Sequence, residues 1–163
     1  MKLCHAREVA SAYDDCPDPV GVVLVDAAGG RVRLETESSV GQKGRDRSIY
    51  LQMHWRASDP LTVWIEVSAR PDHPALPRGS WVVLRDFLRY GLEVPTGDGD
   101  VQITPSEDGL LVHLDLALPQ RTCRVQVPGE LLAKFLDHTE KQVPLGEERS
   151  DHDLEAFIAK LLT

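Results

Sequence analysis

Residues 49–68 have the sequence I-Y-L-Q-M-H-W-R-A-S-D-P-L-T-V-W-I-E-V-S, and this stretch decides the fold. On both sides of Ser58-Asp59-Pro60, apolar side chains alternate with mostly polar ones. Alternation with a period of two places one set on the core face of a β-strand and the other set on the outer face. Because an Asp-Pro pair has turn chemistry, the stretch predicts an antiparallel hairpin. Trp64 falls on the more polar face, so we expect something to cover it.

Shorter segments with strand character lie on both sides of this hairpin. Upstream, residues 20–25 and the pair Val32 and Leu34 predict two strands around a glycine turn. Residues 37–47 are polar, contain glycine and show no period, which predicts an exposed loop. The strands predicted downstream lie at residues 81–84, 101–103, 110–118 and 122–127.

A short helix is predicted at residues 85–90. Leu84, Phe87 and Leu88 have the i, i+3, i+4 spacing that would dock this helix on the sheet. Gly91 follows directly, and a glycine just past a helix end commonly adopts the left-handed conformation. We therefore expect Gly91 to cap the helix.

Two amphipathic helices are predicted near the end of the chain, at residues 128–139 and 151–162, with a polar linker at 140–150. The apolar residues of the second helix are Leu154, Phe157, Ile158, Leu161 and Leu162. Both helices can pack on the sheet or bind a partner, and a terminal helix behind a polar linker can also detach or swap. Successive hairpins followed by helices predict an α+β fold, a mainly antiparallel β-sheet with helices packed on it.

Length and composition limit the class of protein. The 163 residues fit one domain. The 18 basic and 26 acidic residues give a net charge of −8, whereas a nucleic-acid or anionic-membrane surface requires positive charge. No apolar run approaches the roughly 20 residues of a membrane span, and the first residues lack the apolar region of a signal peptide. Cys4, Cys16 and Cys123 are odd in number and widely spaced, so we expect a cytoplasmic protein with free thiols.

No stretch of the sequence has the pattern of a catalytic, metal or cofactor site. Cys4, His5 and Cys16 lack the spacing of zinc ligands, and there is no G-x-S-x-G nucleophile motif. Cys123 falls on the inward side of a predicted strand. The G-D-G-D of residues 97–100 matches neither a P-loop nor an EF-hand and predicts a turn in which glycine supplies positive φ. We therefore expect no catalytic residue, no metal and no cofactor.

The segment R-D-F-L-R-Y-G-L-E-V-P-T-G-D-G-D-V-Q-I-T-P, residues 85–105, resembles the SsgA-like family of actinobacterial sporulation and cell-division proteins. Members of that family typically show R-D-L-L-x-x-G-L-x-x-P-T-G-x-G-D-V, from which Phe87 departs mildly. The matching positions are Arg85, Asp86, Leu88, Gly91, Leu92, Pro95, Thr96, Gly97, Gly99, Asp100 and Val101. Further similarity lies at Ala57-Ser58-Asp59-Pro60, Phe135-Leu136, Thr139, Val143-Pro144, Gly146-Glu147 and Asp153-Leu154.

The resemblance covers about residues 31–162 and leaves residues 1–30 unmatched. We therefore expect an N-terminal segment at 1–30, with a helix and a first strand, followed by an SsgA-like domain at 31–163. The resemblance also implies a fold similar to the Whirly single-stranded nucleic-acid-binding fold, and homo-oligomers in the form of trimers.

The family implies a function. SsgA-like proteins have no known enzymatic activity and help to place division septa and cell-wall machinery during sporulation, in part through the tubulin-like division protein FtsZ or its recruiters. This implies a non-catalytic adaptor that acts by protein–protein binding at division septa. The motif positions then have mostly structural roles, and Trp64, together with the polar loop at 37–47, is the candidate for partner contact.

Two other functions stay open at the level of sequence. The Whirly-like fold suggests a single-stranded nucleic-acid-binding protein, which would be identified by oligonucleotide binding that weakens steeply with salt. The acidic charge argues against that function. The other is an enzyme that uses scattered Asp and His residues, which a deep pocket with perturbed titrating groups would support.

Overall fold

The computed structural model describes residues 21–40 apart from 27 and 29, residues 47–69 and residues 78–148. Several sequence predictions lie outside the described residues. They are the helix expected within residues 1–20, the candidate ligands Cys4, His5 and Cys16, the central part of the loop at 37–47, and the helix at 151–162.

The described residues form two antiparallel sheets and two helices. Sheet A contains, in this order across the sheet, β1 (Gly21–Val25), β2 (Arg31–Val40), β3 (Arg47–Arg56), β4 (Asp59–Ala69) and β5 (Gly79–Leu84). Sheet B contains β6 (Thr96–Asp98), β7 (Val101–Pro105), β8 (Leu111–Leu118) and β9 (Arg121–Pro128). Helix α1 (Arg85–Gly91) connects the two sheets, and α2 (Gly129–Gln142) follows sheet B. The predicted α+β class with antiparallel β-structure is confirmed.

The predicted alternation of residues 49–68 is also confirmed except at Leu61, which is 40% exposed, because the rest of its inward apolar set is buried in β3 and β4. The two sheets and α2 share one core. Its largest contributors include Leu34, Ile49, Leu51, Met53, Trp55, Ile65, Leu88, Ile103, Leu114, Leu116 and Phe135. The indole N–H of Trp81 in β5 donates to the carbonyl of Ala117 in β8 at 2.8 Å and so ties the two sheets together.

The loop predicted at residues 37–47 is wrong for its described ends, because β2 continues to Val40 and β3 begins at Arg47. The buried Ser38 explains the error. Its hydroxyl donates to the carbonyl of Gln126 at 2.7 Å and accepts the N–H of Gln126 at 2.9 Å, which joins β2 to β9. A polar residue can be buried in a strand when its hydroxyl both donates and accepts a hydrogen bond. The polarity pattern of a sequence does not reveal such partners.

The left-handed cap predicted at Gly91 is wrong. Gly91 is the last residue of α1, and the C-cap is Leu92, with φ −67° in the right-handed helical region. The reason for a glycine here is close packing, since a Cβ at Gly91 would lie 2.2 Å from Cγ2 of Ile103 in β7. Gly91 therefore lets α1 approach sheet B.

Two further helix predictions need correction. Leu84 does not dock α1, because it is 44% exposed on the outer face of β5, whereas Leu88 is buried and Phe87 packs against the core. Helix α2 begins at Gly129 and continues to Gln142, three residues into the predicted polar linker. This last turn is polar in sequence but carries Glu140, a partner of Arg89 in α1.

Candidate functional site

The matched motif begins at a buried arginine that joins α1 to the end of the described chain. Arg85 is fully buried at the start of α1. Its guanidinium donates to the carbonyl of Val143 at 2.8 Å, to the hydroxyl of Thr139 at 3.4 Å and to the carboxylate of Glu148. It also lies 5.5 Å from the centroid of the Trp55 ring, in the range of a cation–π contact. We call these five residues the Arg85 cluster.

The Arg85 cluster contains an ion pair that lies in the protein interior, because the side chains of Arg85 and Glu148 are 0% and 7% exposed. Burial alone would raise the pKa of Glu148. The hydrogen bonds from Arg85 and from the N–H of Gly146 outweigh burial and lower this pKa below its usual value. Arg85 Nε has no hydrogen-bond partner among the described residues. The cluster can hold the chain after α2 against the start of α1.

A second arginine of α1 holds the same two helices together nearer the surface. Arg89 donates to both carboxylate oxygens of Glu140, at 2.8 and 2.9 Å, and to Asp137 at 2.8 Å. Burial alone would lower the pKa of Arg89, but these two carboxylates raise it above its ordinary value. Asp86 lies in the first turn of α1, where a negative charge suits the helix dipole.

The second half of the motif forms β6, the turn after it and the first residue of β7, where the chain enters sheet B. The turn is narrower than the predicted residues 97–100, because Thr96–Asp98 pairs with β7 and the chain reverses at Gly99 and Asp100. The positive φ expected for the glycines is confirmed, at +133° for Gly97 and +67° for Gly99.

The other motif positions of this region surround the turn. Thr96 donates its hydroxyl to the carbonyl of Val94 at 2.9 Å, and the carbonyl of Asp100 accepts the N–H of Ala117 at 2.8 Å. Val101 is buried, Leu92 packs on the core and Pro95 is exposed. The structure thus places the motif residues along one path from Arg85 to Val101, with most of their contacts inside the protein.

Trp64 lies elsewhere, on the outer face of sheet A. It is directly opposite Val82 on β5, and Leu84 is its diagonal neighbour, because Leu84 pairs with Thr62. Trp64, Val82 and Leu84 are 44%, 47% and 44% exposed. We call these three side chains the Trp64 face. Since β5 is at one edge of sheet A, the Trp64 face reaches that edge and no described residue covers it.

The Trp64 face has polar neighbours on the adjoining strands. His54 is directly opposite Trp64 on β3, and its Nε2 lies 3.4 Å from a carboxylate oxygen of Glu66. Thr62 donates its hydroxyl to Asp59 at 2.6 Å. An apolar patch with a polar border is typical of a protein-binding surface.

Sequence reasoning singled out Trp64 but missed Val82 and Leu84. A signal was available, because Trp81-Val82-Val83-Leu84 is apolar at every position. A strand that covers a core on one side only should alternate, so an unbroken apolar run indicates two apolar faces.

Other candidate chemistry has little support in the described part of the chain. Among the residues that the structure describes, no three His, Cys, Asp or Glu side chains are grouped as metal ligands. Burial raises the pKa of the Cys123 thiol, which makes it a poor nucleophile at neutral pH. Neither α1 nor α2 is long and apolar enough to cross a membrane.

The fold is that of a class of small α+β proteins for which solved structures exist. A structure from a study of SsgB mutations that correlate with longitudinal cell division during sporulation of Streptomyces coelicolor aligns with a TM-score of 0.62 and 29% identity, over 72% of this chain and 92% of that one. The SsgA-like sporulation-specific cell division protein of Thermobifida fusca has the same fold, with a TM-score of 0.66 and 24% identity over 84% of this chain and 99% of that one.

The comparison of sequences identifies the family more specifically than the fold does. The chain belongs to the SsgA family, since the family model described as Streptomyces sporulation and cell division protein, SsgA, matches residues 49–148. The sporulation-specific cell division protein SsgB of Thermobifida fusca is 31% identical over 69% of this chain and 80% of its own length. The SsgB of Kineococcus radiotolerans is 31% identical over 81% of this chain and 76% of its own length. The resemblance inferred from residues 85–105 is confirmed.

Proposed function

We propose that this protein is a non-catalytic adaptor in sporulation-associated cell division, and that it acts by binding another protein through the Trp64 face. The role in cell division rests on one observation, the family match over residues 49–148, whose relatives are named sporulation-specific cell division proteins. The mode of action rests on the geometry of sheet A.

The Trp64 face has the composition of a binding centre. Tryptophan is enriched among the few residues that dominate binding energies, and such residues lie in apolar patches surrounded by polar contacts. Trp64 has this setting, with Val82 beside it and with His54 and Glu66 on its polar side. The opposite face of β4 and β5 packs on the core, which holds the backbone of the Trp64 face in place.

The partner that we propose is a division or cell-wall protein, FtsZ or one of its recruiters, by analogy with the family. The net charge of −8 favours a partner with a basic surface. We also propose that the protein works as a homo-oligomer, in the form of a trimer, in the cytoplasm at division septa. The motif residues from Arg85 to Val101 would serve the fold rather than the partner, because most of their contacts are internal.

Complementation of a deletion strain tests the proposal. Trp64→Glu places a charge in the Trp64 face, whereas Thr122→Glu places the same charge on an exposed position of β9 in the other sheet. We expect the first variant to fail to restore septum placement and the second to restore it, with both proteins present at equal levels. Normal septation by Trp64→Glu, or by the deletion strain itself, would refute the proposal.

A further inference from the structure

Strand β5 forms one edge of sheet A, directly at the Trp64 face. It pairs with β4 on one side, and no strand of the described chain pairs with its other side. The backbone N–H and C=O groups on that other side can therefore bind an extended segment, which would extend sheet A by one strand. This mode of binding uses the backbone of β5 in addition to the exposed side chains of the Trp64 face.

The sequence of β5 lacks the features that protect exposed edges. Natural edge strands are commonly protected by lysine, by proline or by a β-bulge. The sequence of β5, G-S-W-V-V-L, contains neither a charged residue nor a proline. Its pairing with β4 runs in continuous register from Gly79 to Leu84, so β5 also has no bulge. The strand is therefore a regular template along its whole length.

The outer face of β5 determines which side chains an added strand should carry. Leu84, Val82 and Ser80 alternate with the buried residues of the strand and are exposed. Side chains that lie directly opposite each other on neighbouring strands interact. Apolar side chains opposite Leu84 and Val82 would extend the Trp64 face and remove apolar surface from water, which favours binding.

The position opposite Ser80 favours a basic side chain. Ser80 is directly opposite Glu66 on β4, and the side chain of Glu66 is 53% exposed although His54 lies near one of its carboxylate oxygens. Strands lie about 4.8 Å apart, so a residue opposite Ser80 would be about 9.6 Å from Glu66. Because serine is small, a lysine or arginine at that position can extend over it towards the Glu66 carboxylate.

We propose that β5 binds an extended segment of the partner as an added antiparallel strand, with apolar side chains opposite Leu84 and Val82 and a basic one opposite Ser80. The direction is antiparallel because every pair of strands in sheet A is antiparallel and because this pairing is slightly more stable than parallel pairing. The segment then has the order apolar-x-apolar-x-basic. That it belongs to a partner rests on the proposed function, whereas the strand addition can be measured without that partner.

Tryptophan fluorescence with a synthetic peptide tests the pattern, because Trp64 is 44% exposed whereas Trp55 and Trp81 are 1% and 8% exposed. The probe is the peptide T-V-T-V-T-K-T, and its control T-V-V-K-T-T-T has the same composition without the alternation. We expect the first peptide to shift the emission of the full chain to shorter wavelength and the second to leave it unchanged. Val82→Lys should abolish the shift, whereas Thr122→Lys, at an exposed position of β9 in the other sheet, should preserve it.

Charge reversal tests the predicted contact with Glu66. A peptide with glutamate in place of lysine should bind the full chain about threefold or more weakly, and Glu66→Lys should reverse this preference. Glu35→Lys is the matched control, because Glu35 lies in the same row of the sheet but two strands farther from β5. Equal binding of the two peptides by the full chain, or an unchanged preference in Glu66→Lys, would overturn the proposal.

Hydrogen–deuterium exchange of the β5 amides, followed residue by residue by NMR, tests the edge itself. We expect every second amide of β5 to exchange fast in the free protein and slowly when T-V-T-V-T-K-T is bound, because alternate amides of an edge strand point away from its neighbour. Slow exchange of all these amides without peptide, or an emission shift caused by rising protein concentration alone, would overturn the proposal. The edge would then be filled by the chain itself or by a second copy.

Absence of peptide binding at millimolar concentration would overturn the proposal as well. None of these results depends on whether FtsZ or another partner binds. Failure of strand addition would therefore leave the proposed adaptor function standing, and that function is tested separately by complementation of the deletion strain.

Discussion

At the level of single residues, the fold depends most on a charge placed in its interior. Arg85 donates hydrogen bonds to Val143, Thr139 and Glu148 at once, and its guanidinium lies near the Trp55 ring. Removing one partner of a buried ion pair leaves the other charge unpaired in a medium of low polarity. Lysine has a single ammonium group and cannot supply the two terminal nitrogens with which the guanidinium reaches Val143 and Glu148 at once.

We expect Arg85→Met to lower the free energy of unfolding by about 3–5 kcal/mol, measured by urea denaturation. The matched control is Arg124→Ala, which removes an ion pair with Asp115 on the outer face of sheet B. Arg124 is 59% exposed, and an exposed pair contributes less than about 1 kcal/mol. Equal losses for the two variants would contradict a special role for the Arg85 cluster.

Gly91 gives a second prediction at this scale. A methyl group at Gly91 would meet Ile103 at 2.2 Å, so Gly91→Ala should lower the free energy of unfolding by about 1–3 kcal/mol through overpacking. Gly30→Ala is the control, because a Cβ there has nothing within 4 Å and its φ is not positive. Thermal denaturation of both variants checks this. A stable Gly91→Ala would mean that α1 can move away from sheet B.

The residues of this junction show how far the sequence could predict contacts. The spacing of the motif predicted a helix and a turn in the right order. It gave the wrong reason for Gly91, because a glycine past a helix end and a glycine at a close approach look alike in sequence. The partners of Arg85 lie more than fifty positions away, and no local pattern contains that information.

At the level of elements, α1 and α2 are joined by carboxylates from the C-terminal end of α2 and beyond. Glu140 and Asp137 bind Arg89, and Glu148 binds Arg85. The ion pair of Glu148 with Arg85 should therefore depend on pH, because the pKa of Glu148 is lowered in the folded protein.

The pH dependence follows from the pKa of Glu148. This pKa is lowered in the folded protein from its usual value of 4.5, so the folded state binds fewer protons than the unfolded state. The stability contributed by Glu148 is present above pH 4.5 and is lost as the pH falls through the lowered pKa. We expect the free energy of unfolding, measured in urea from pH 7 to pH 3, to fall less steeply in Glu148→Gln than in the unchanged protein. Parallel curves for the two proteins would contradict this.

Elements were predicted best where alternation was clear. The hairpin of β3 and β4 was predicted almost residue by residue, because its apolar set apart from Leu61 faces one core. The ends of β2 and α2 were missed, since Ser38 and Glu140 are polar residues with partners in other elements. Leu84 was assigned to the core because helical spacing and strand alternation overlap at the β5–α1 junction.

At the level of the whole molecule, the two sheets share one core, and no residue in the described part of the chain covers the Trp64 face. The sequence predicted antiparallel strands and helices, but hairpins alone do not determine where one sheet ends and the next begins. Sheet A ends before α1 and sheet B begins after it. A helix of seven residues does not by itself indicate that the chain passes to a second sheet. The Trp64 face depends on this arrangement, because β5 becomes an edge strand when the chain leaves sheet A through α1.

The measurement that tests the central claim most directly is binding of the purified chain to purified FtsZ, or to its recruiters, by biolayer interferometry. We expect binding by the full chain, about tenfold or more weaker binding by Trp64→Glu, and unchanged binding by Thr122→Glu. Equal binding by Trp64→Glu and Thr122→Glu, or salt-dependent binding of a single-stranded oligonucleotide with no division partner bound, would contradict the account.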